Sequence, residues 1–285
     1  MPADPAVLSP RPRARPDAPV YGSPCSALRG AVVGYRGFAS APDRSVRRMH
    51  MPTGLVSLVI GFGSPLVVYD AVAPSPPALP VSLVAGVRTR TAVTECAGRT
   101  AGIVVALTPM AAYSLFDVPM HELADRYAEL PGPALPGAAQ LVGMLRRLPC
   151  HEARFAALDR FLAGRIAAGP QAAPGVALAV RAVRRSAGRR TVAEIAAETR
   201  QSRRHLERLF KEQVGVTPKA YAQIVRFRHA LRLLDAGVPP AGVAARAGFH
   251  DQAHLNRDFK SMTGRTPRRF LDSHTRESRA IDAVR

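Results

Sequence analysis

The spacing of hydrophobic residues changes near residue 109 and separates a β-rich part of the chain from a helical part. Between about Leu28 and Leu107, short apolar runs rich in β-branched residues alternate with Gly, Pro and Asp, as strands joined by turns do. The runs are AVVGYRGF, GLVSLVIGF, PLVVYD, PVSLVAGV and GIVVAL. Their lengths and boundaries predict an all-β unit, either a small barrel or a sandwich.

The inner face of this β-rich unit is a candidate ligand pocket. Its predicted lining residues are Val56, Leu58, Ile60, Val104 and Leu107. These side chains suit a mostly apolar pocket, and they suit an ordinary packed core equally well. The pattern therefore leaves a ligand pocket and a packed core equally open, and it names no ligand.

After Pro109 the apolar residues recur at intervals of three and four, which predicts helices. The predicted helices in the first stretch are residues 119–127, 138–147 and 152–168. Breaks between Gly169 and Pro174 favour a hinge. Everything from Val176 onward is predicted as helices joined by short turns.

The helical part contains an internal repeat with a constant offset of 49 residues. Residues 205–221, HLERLFKEQVGVTPKAY, align without a gap on residues 254–270, HLNRDFKSMTGRTPRRF. Eight of the 17 aligned positions are identical, and the eight are all of different residue types, so biased composition does not account for the match. The repeat predicts two copies of one structural unit.

Each copy has the sequence of a helix-turn-helix, in which a short helix, a tight turn and a second helix follow one another. In the first copy Thr191 and Ser202 are the predicted N-caps, and Gly215 ends the second helix. In the second copy Asp251 caps the second helix, which ends at Gly264. Both second helices carry apolar residues on one face and polar residues on the other, as a DNA recognition helix requires.

The segment between the copies, residues 218–236, predicts one longer helix. At about 1.5 Å per residue it spans roughly 27 Å. A helix of this length could hold the two recognition helices about one DNA turn apart, near 34 Å. One chain could then fill two successive major grooves.

Positive charge is concentrated in the same region. The formal net charge of +19 indicates a polyanionic partner. Residues 181–285 hold 23 Lys and Arg against 10 Asp and Glu, whereas residues 1–180 hold 17 against 11. Because 37 of the 40 basic residues are Arg, part of the excess is consistent with genome composition, but its location favours a nucleic-acid-binding C-terminal domain.

These residues resemble the AraC family of transcription regulators over about residues 176–274. The resemblance rests on RRHLERLFKEQVGVTPKAYAQIVRFRHALRLL and on VAARAGFHDQAHLNRDFKSMTGRTPRRF, which has a Gly-Phe turn, a Phe-Lys pair and Gly-x-Thr-Pro before an aromatic residue. One departure is Leu255, where the family usually has Phe. The resemblance implies an α+β chain, with a β-rich, sensor-like N-terminal domain and an all-α double helix-turn-helix DNA-binding domain.

Position on the two second helices identifies the candidate DNA-binding residues. They are Arg203, Arg204, Glu207, Arg208, Lys211, Gln252, Ala253, Asn256, Arg257 and Lys260. The expected partner is double-stranded DNA at a promoter site. The resemblance implies an unknown small-molecule effector, RNA polymerase and a second copy in a homodimer as further candidate partners.

The predicted domain boundaries follow from the same patterns. They are a disordered Pro- and Arg-rich tail at residues 1–22, a sensor or dimerisation domain at 23–170, the DNA-binding domain at 174–275 and a tail at 276–285. We expect a cytoplasmic protein without a membrane partner, because the N-terminus lacks a signal peptide's apolar region and no uninterrupted apolar run reaches about 18 residues.

The alternative is an enzyme or a DNA-repair protein that uses the same DNA-binding module. It would need a catalytic constellation in residues 22–170, and none is evident. Cys25, Cys96 and Cys150 are isolated and are predicted as reduced, buried apolar side chains. His250 and His254 have the spacing of a helical metal pair, but no further ligand is evident, so we expect no metal. Because no catalytic constellation is evident either, we expect no cofactor and no enzymatic activity.

Overall fold

A β-sheet domain over residues 20–130 precedes a helical region in the computed structural model of the protein. The structure describes residues 19–40, 46–73, 78, 80–96, 98–130, 132 and 135–274. This order confirms the predicted α+β fold. Residues 1–18 of the predicted N-terminal tail and all of the C-terminal tail lie outside the described residues. The prediction of disorder is wrong for Val20–Gly22, because these residues pair with a neighbouring strand.

The strands form two antiparallel sheets. Those in the described residues are β1 (Val20–Gly22), β2 (Val32–Ser40), β3 (Val46–His50), β4 (Val56–Gly61), β5 (Val67–Asp70), β6 (Ser82–Ala85), β7 (Ala92–Cys96), β8 (Thr100–Leu107) and β9 (Tyr127–Leu130). One sheet has the order β1-β2-β8-β4-β6-β9 and the other has the order β3-β7-β5. Each predicted run contains a strand. The pattern missed β1, β3, β7 and β9. VRRMH and AVTEC are too polar to stand out as apolar runs, and VYG and YAEL are only three and four residues long.

The six-stranded sheet separates the main core from a cavity between the two sheets. Successive side chains of a strand point to opposite faces. On β4, Val56 and Leu58 are fully buried in the main core, whereas Ser57 and Val59 line the cavity. The predicted pocket lining is therefore confirmed for Val104. For Val56, Leu58, Ile60 and Leu107 the alternative of an ordinary packed core is confirmed, because they face the core.

Ten α-helices occur in the described residues. They are α1 (Pro109–Phe116), α2 (Ala138–Arg147), α3 (His151–Ala168), α4 (Pro174–Arg185), α5 (Val192–Glu198), α6 (Arg203–Val214), α7 (Pro218–Asp235), α8 (Pro240–Ala247), α9 (Gln252–Thr263) and α10 (Pro267–His274). The helix predicted at residues 119–127 is wrong. That stretch contains a 3₁₀ turn at Met120–Glu122 and the first residue of β9, because left-handed backbone at Asp117 (φ 52°) and Asp125 (φ 54°) prevents a continuous helix before and after the turn.

A buried tyrosine attaches α3 to the six-stranded sheet. The Tyr35 hydroxyl donates to Asp159 Oδ1 at 2.6 Å, and the backbone N–H of Cys25 donates to the same carboxylate at 3.1 Å. The Tyr35 ring also stacks on Phe155, with 5.2 Å between ring centroids. Burial, together with Asp159, raises the pKa of Tyr35, so the hydroxyl remains a donor at neutral pH.

The segment predicted as a hinge is hydrogen-bonded to both parts of the chain. Ser114 Oγ, on α1, donates to the carbonyl oxygen of Pro170 at 2.6 Å. The backbone N–H of Ala173 donates to Gln213 Oε1, on α6, at 2.8 Å. Residues 169–173 therefore connect the β-sheet domain to the helical region through specific contacts.

We expect Tyr35→Phe to lower the free energy of unfolding by about 1–3 kcal/mol, because it removes a hydrogen bond from a partly buried carboxylate. Tyr69→Phe is the matched control, since the Tyr69 hydroxyl donates to Glu95 at 2.7 Å near the surface. Removal of the Tyr69 hydroxyl should lower the free energy of unfolding by about 0.5 kcal/mol or less. Urea-induced unfolding of the two variants measures both values, and equal losses would contradict the role assigned to Tyr35.

Candidate nucleic-acid interface

Two helix-turn-helix units occupy the positions that the repeat predicts. The first consists of α5, a turn at residues 199–201 and α6. Thr191 and Glu194 form a capping box, in which Thr191 Oγ1 accepts from the Glu194 N–H at 3.2 Å and Glu194 Oε2 accepts from the Thr191 N–H at 2.7 Å. The second unit consists of α8, a Gly-Phe turn and α9.

Both second helices begin and end at equivalent residues. Ser202 Oγ accepts from the His205 N–H at 3.2 Å at the start of α6, and Asp251 Oδ1 accepts from the His254 N–H at 2.6 Å at the start of α9. Each helix ends at a glycine in the left-handed region, with φ of 99° at Gly215 and 73° at Gly264. The predicted helix boundaries are confirmed.

Aromatic packing on α7 fixes the inner faces of α6 and α9. Phe210 meets Tyr221 edge-on, with ring centroids 5.7 Å apart. Phe227 meets Phe259 at 5.1 Å, and Phe259 meets Phe270, on α10, at the same distance. All five rings are buried, so one long helix holds both second helices in place.

The outer faces of α6 and α9 carry all the candidate DNA-binding residues. Exposed to solvent are Arg203, Arg204, Arg208, Lys211, Gln252, Ala253, Arg257 and Lys260. The other two, Glu207 and Asn256, are partly exposed. The side chains are therefore accessible to a partner, and their contact with DNA stays a prediction.

The two outer faces differ in charge pairing. On α6, Arg203 Nε lies 2.9 Å from Glu207 Oε1, and Arg208 Nη1 lies 3.0 Å from Glu212 Oε2. On α9 the positions of the two glutamates are taken by Asn256 and Ser261. Arg257 consequently has no ion pair within 4 Å among the described residues. Exposed pairs of this kind are worth at most about 1 kcal/mol, so a DNA phosphate or base can displace them.

The histidines with metal-like spacing are engaged in other contacts. The His254 ring packs edge-on against Phe249, and its Nδ1 accepts from the His250 N–H at 3.4 Å. His254 Nε2 lies 3.5 Å from Asp258 Oδ2. No group of three His, Cys, Asp or Glu in the described part of the chain could hold a metal.

The cysteines do not share one environment. Cys96 is buried, as predicted, and Cys25 is partly exposed. The prediction of burial is wrong for Cys150, which is exposed because it occupies the N-cap position of α3 at the protein surface.

Both recognition helices end against the β-sheet domain. The backbone N–H of Thr91, before β7, donates to the carbonyl oxygen of Met262 near the end of α9 at 2.7 Å. At the end of α6, a Cβ on Gly215 would lie only 2.7 Å from the carbonyl oxygen of Met120. The sequence pattern could not locate these contacts, because each joins residues that are more than 90 positions apart.

Tyr221, on α7, belongs to the same junction. A Cβ on Gly54, before β4, would lie 3.1 Å from its ring, which shows how closely the β-sheet domain approaches. Burial raises the pKa of Tyr221 to about 12, so the side chain is neutral at physiological pH.

A family model described as a helix-turn-helix domain matches residues 195–273. This region is an AraC-type helix-turn-helix domain. The resemblance drawn from the repeat is thereby confirmed. A second family model, described as a domain of unknown function, matches residues 23–129 and covers most of the β-sheet domain.

Curated relatives match the chain over short stretches. The uncharacterized HTH-type transcriptional regulator YbfI of Bacillus subtilis is 38% identical over 65 residues, 23% of this chain and 24% of its own length. The HTH-type transcriptional activator RhaS of Klebsiella pneumoniae is 38% identical over 78 residues, 26% of this chain and 27% of its own length. Regulatory protein ada of Salmonella typhimurium is 36% identical over 80 residues, 28% of this chain and 23% of its own length.

The chain thus spans about a quarter of each of these relatives. The match to the helix-turn-helix family model includes both copies of the internal repeat, so both observations identify the same AraC-type domain. No helix in the part of the chain that the structure describes is long and apolar enough to cross a bilayer.

The two caps of the AraC-type domain give a pH-dependent prediction. The backbone hydrogen bond from His254 lowers the pKa of Asp251, so its stabilising effect is complete above the ordinary carboxyl pKa near 3.9 and is lost as pH falls through the folded value. Asn keeps the acceptor but does not titrate. We therefore expect the full chain to lose thermal stability relative to Asp251→Asn between about pH 5 and pH 3.

Ser202→Asn is the control for this experiment, because Ser202 is the equivalent cap on α6 and carries no titratable group. Its melting temperature should differ from that of the unmodified chain by a constant amount across the same range. Parallel curves for Asp251→Asn as well would contradict the role of the carboxylate.

Proposed function

We propose that this chain is a sequence-specific DNA-binding transcription regulator whose DNA affinity is controlled by a small molecule in its β-sheet domain. The observation that carries the DNA-binding part is the repeated recognition helix. Both α6 and α9 bury an apolar face on α7 and expose a polar, basic face. Exposed side chains on such a helix can reach base edges in the major groove.

The elements that follow each recognition helix supply candidate phosphate contacts. Helices α7 and α10 both begin with Thr-Pro followed by a basic residue, Lys219 or Arg268, and both basic side chains are exposed. A helix N-terminus carries free N–H groups and a partial positive charge that favour phosphate. Such contacts orient a protein on the duplex, while the recognition helices read its sequence.

Contacts between cavity and recognition helix support control by a small molecule. Met51 lines the cavity, and its sulfur accepts a hydrogen bond from Thr91 Oγ1 at 3.3 Å. The backbone N–H of the same threonine donates to Met262 at the end of α9. A ligand that moves Met51 would therefore act on the residue that holds α9.

A second connection leads from the cavity to the same place. Arg88 lines the cavity and pairs with Asp70 at 3.1 Å. Asp70 Oδ1 accepts from the Val72 N–H at 2.8 Å, and Val72 and its neighbour Ala71 lie beside Gly264, the residue that ends α9. Two connections that converge on one helix end favour effector control of α9 over a purely structural β-sheet domain.

Two equivalent arginines test the two-groove arrangement. Arg208→Ala should remove protection and relax base preference in one half of the DNA site, and Arg257→Ala should do so in the other half, about one helical turn away. Substitution of an arginine that pairs with a guanine edge should weaken DNA binding by about 1–3 kcal/mol. Footprinting of the full chain on its selected DNA sequence measures both effects.

Changes at the same base pairs in both variants would contradict the two-groove arrangement. The arrangement would also be contradicted if Arg257→Ala had no effect on DNA binding while Arg208→Ala abolished it. Either result would leave α9 as a structural support for α6 and would imply a shorter DNA site.

The proposed domain boundary gives a further prediction. Residues 174–285 should fold without the rest of the chain and bind DNA, because the aromatic packing on α7 lies within this segment. With about six to ten phosphate contacts, affinity should fall by about 10³–10⁵ between 50 and 200 mM salt. Circular dichroism and fluorescence anisotropy measure folding and affinity, and a flat salt response would argue against phosphate contacts.

The alternative, an enzyme or DNA-repair protein, makes a different prediction. It would be favoured by covalent alkylation of Cys25, Cys96 or Cys150, measured by mass spectrometry of the intact chain after incubation with alkylated DNA.

A further inference from the structure

The cavity between the two sheets has apolar walls and room for a small ligand. Its volume is about 130 Å³, and it is partly open. The walls include Phe38, Leu55, Val59, Leu66 and Val104. A cavity of similar volume, about 150 Å³, is large enough to hold benzene. The ligand body is therefore expected to be one ring or a short aliphatic chain.

The polar residues of the lining are positively charged or neutral. Arg36, Arg48, Arg88 and His50 contribute to the lining, and none of the described residues in the lining is an aspartate or a glutamate. Guanidinium groups are always charged and bind carboxylates with two parallel hydrogen bonds. The lining therefore favours an anionic group on the ligand.

One end of the cavity has hydrogen-bonding capacity that the described residues do not use. Arg88 is about nine-tenths buried; its Nη2 pairs with Asp70, but its Nη1 has no hydrogen-bond partner among the described residues. The Tyr127 hydroxyl is likewise buried without a partner there, and Arg88 Cζ lies 4.6 Å from the centre of the Tyr127 ring. An unsatisfied buried donor is costly, which favours a ligand acceptor at this end.

Tyr127 can serve only as a neutral group. Burial raises its pKa to about 12, so the hydroxyl keeps its proton at physiological pH. The Arg88 guanidinium lies over the Tyr127 ring, so Arg88 Nη1 and the Tyr127 hydroxyl are two separate donors at this end of the cavity. A carboxylate can accept from both, whereas a neutral amide offers one oxygen and two further donors.

We propose that the cavity binds a small amphipathic carboxylate, with its head at Arg88 and Tyr127 and its apolar body along Phe38 and Val59. The consequence of binding rests on the proposed function, in which the bound acid would be the effector that controls DNA affinity. Arg88 also pairs with Asp70, so the head group would contact the side chain that leads to the end of α9.

Binding of matched acids and amides to the full chain tests the proposal. The probes are benzoate against benzamide and hexanoate against hexanamide, measured by isothermal titration calorimetry. We expect at least one acid to bind about tenfold or more tightly than its amide, the difference that one charge-assisted hydrogen bond supplies. Equal or tighter binding of both amides, or no binding of either acid at millimolar concentration, would overturn the proposal.

Variants assign the head group to its residues. Tyr127→Phe and the double variant Asp70→Asn/Arg88→Met, which removes both charges of the pair together, should each weaken binding of the acid and leave the amide unchanged. Arg90→Met is the control, because Arg90 is exposed and does not line the cavity. An unchanged acid affinity in both cavity variants would place the acid elsewhere and overturn the proposal.

A parallel measurement separates this inference from the proposed function. DNA affinity of the full chain is measured with and without the acid that binds. Acid binding without a change in DNA affinity would support the site and contradict control by this ligand. Loss of DNA binding in every condition would contradict the proposed function while the calorimetric result on the cavity still stands.

Discussion

The packing of two recognition helices against α7 is the interaction on which the C-terminal domain depends. Phe210 and Phe259 insert toward the same helix from successive repeats, where they meet Tyr221 and Phe227. Burial of aromatic side chains supplies a large part of the stabilisation available to a small helical unit. With the inner faces fixed in this way, the outer faces of α6 and α9 are free for a partner.

The β-sheet domain is attached at the points where this packing ends. Gly215 and Gly264 are equivalent positions of the repeat, and each lies beside a different segment of the β-sheet domain. At Gly215 the missing Cβ allows close approach, because a Cβ there would lie 2.7 Å from the Met120 carbonyl oxygen. At Gly264 the nearest atom, the Ala71 carbonyl oxygen, would lie at an ordinary contact distance of 3.6 Å. The same residues therefore terminate the recognition helices and form the junction between the two parts of the protein.

Strand alternation decides what the β-sheet domain can do. One face of the six-stranded sheet is buried beneath helices, and the other faces a cavity that contains several basic side chains. Burial of Arg88 opposite Asp70 is tolerated because the two charges pair, but it leaves part of the guanidinium group without a partner. That remaining capacity gives the cavity a chemical preference, which its apolar walls alone would not provide.

Much of the C-terminal domain was determined by the sequence alone, because its structure follows from local rules. Thr191, Ser202 and Asp251 cap helices as their residue types predict, and the 49-residue repeat identified α6 and α9 before any contact was known. The exposed positions of the candidate DNA-binding residues follow from helical periodicity in the same way.

The tertiary structure decided which face of each strand is the core, because apolar residues occur on both sides of β4. Val56 and Val59 are the same residue type on the same strand, yet Val56 packs under helices and Val59 lines the cavity. It also decided the contact between Thr91 and Met262, since no local pattern relates two residues 171 positions apart. The proximity of Arg88 and Tyr127 also follows only from the folded structure, because the pairing of β6 with β9 places Tyr127 opposite Ala85, three residues before Arg88.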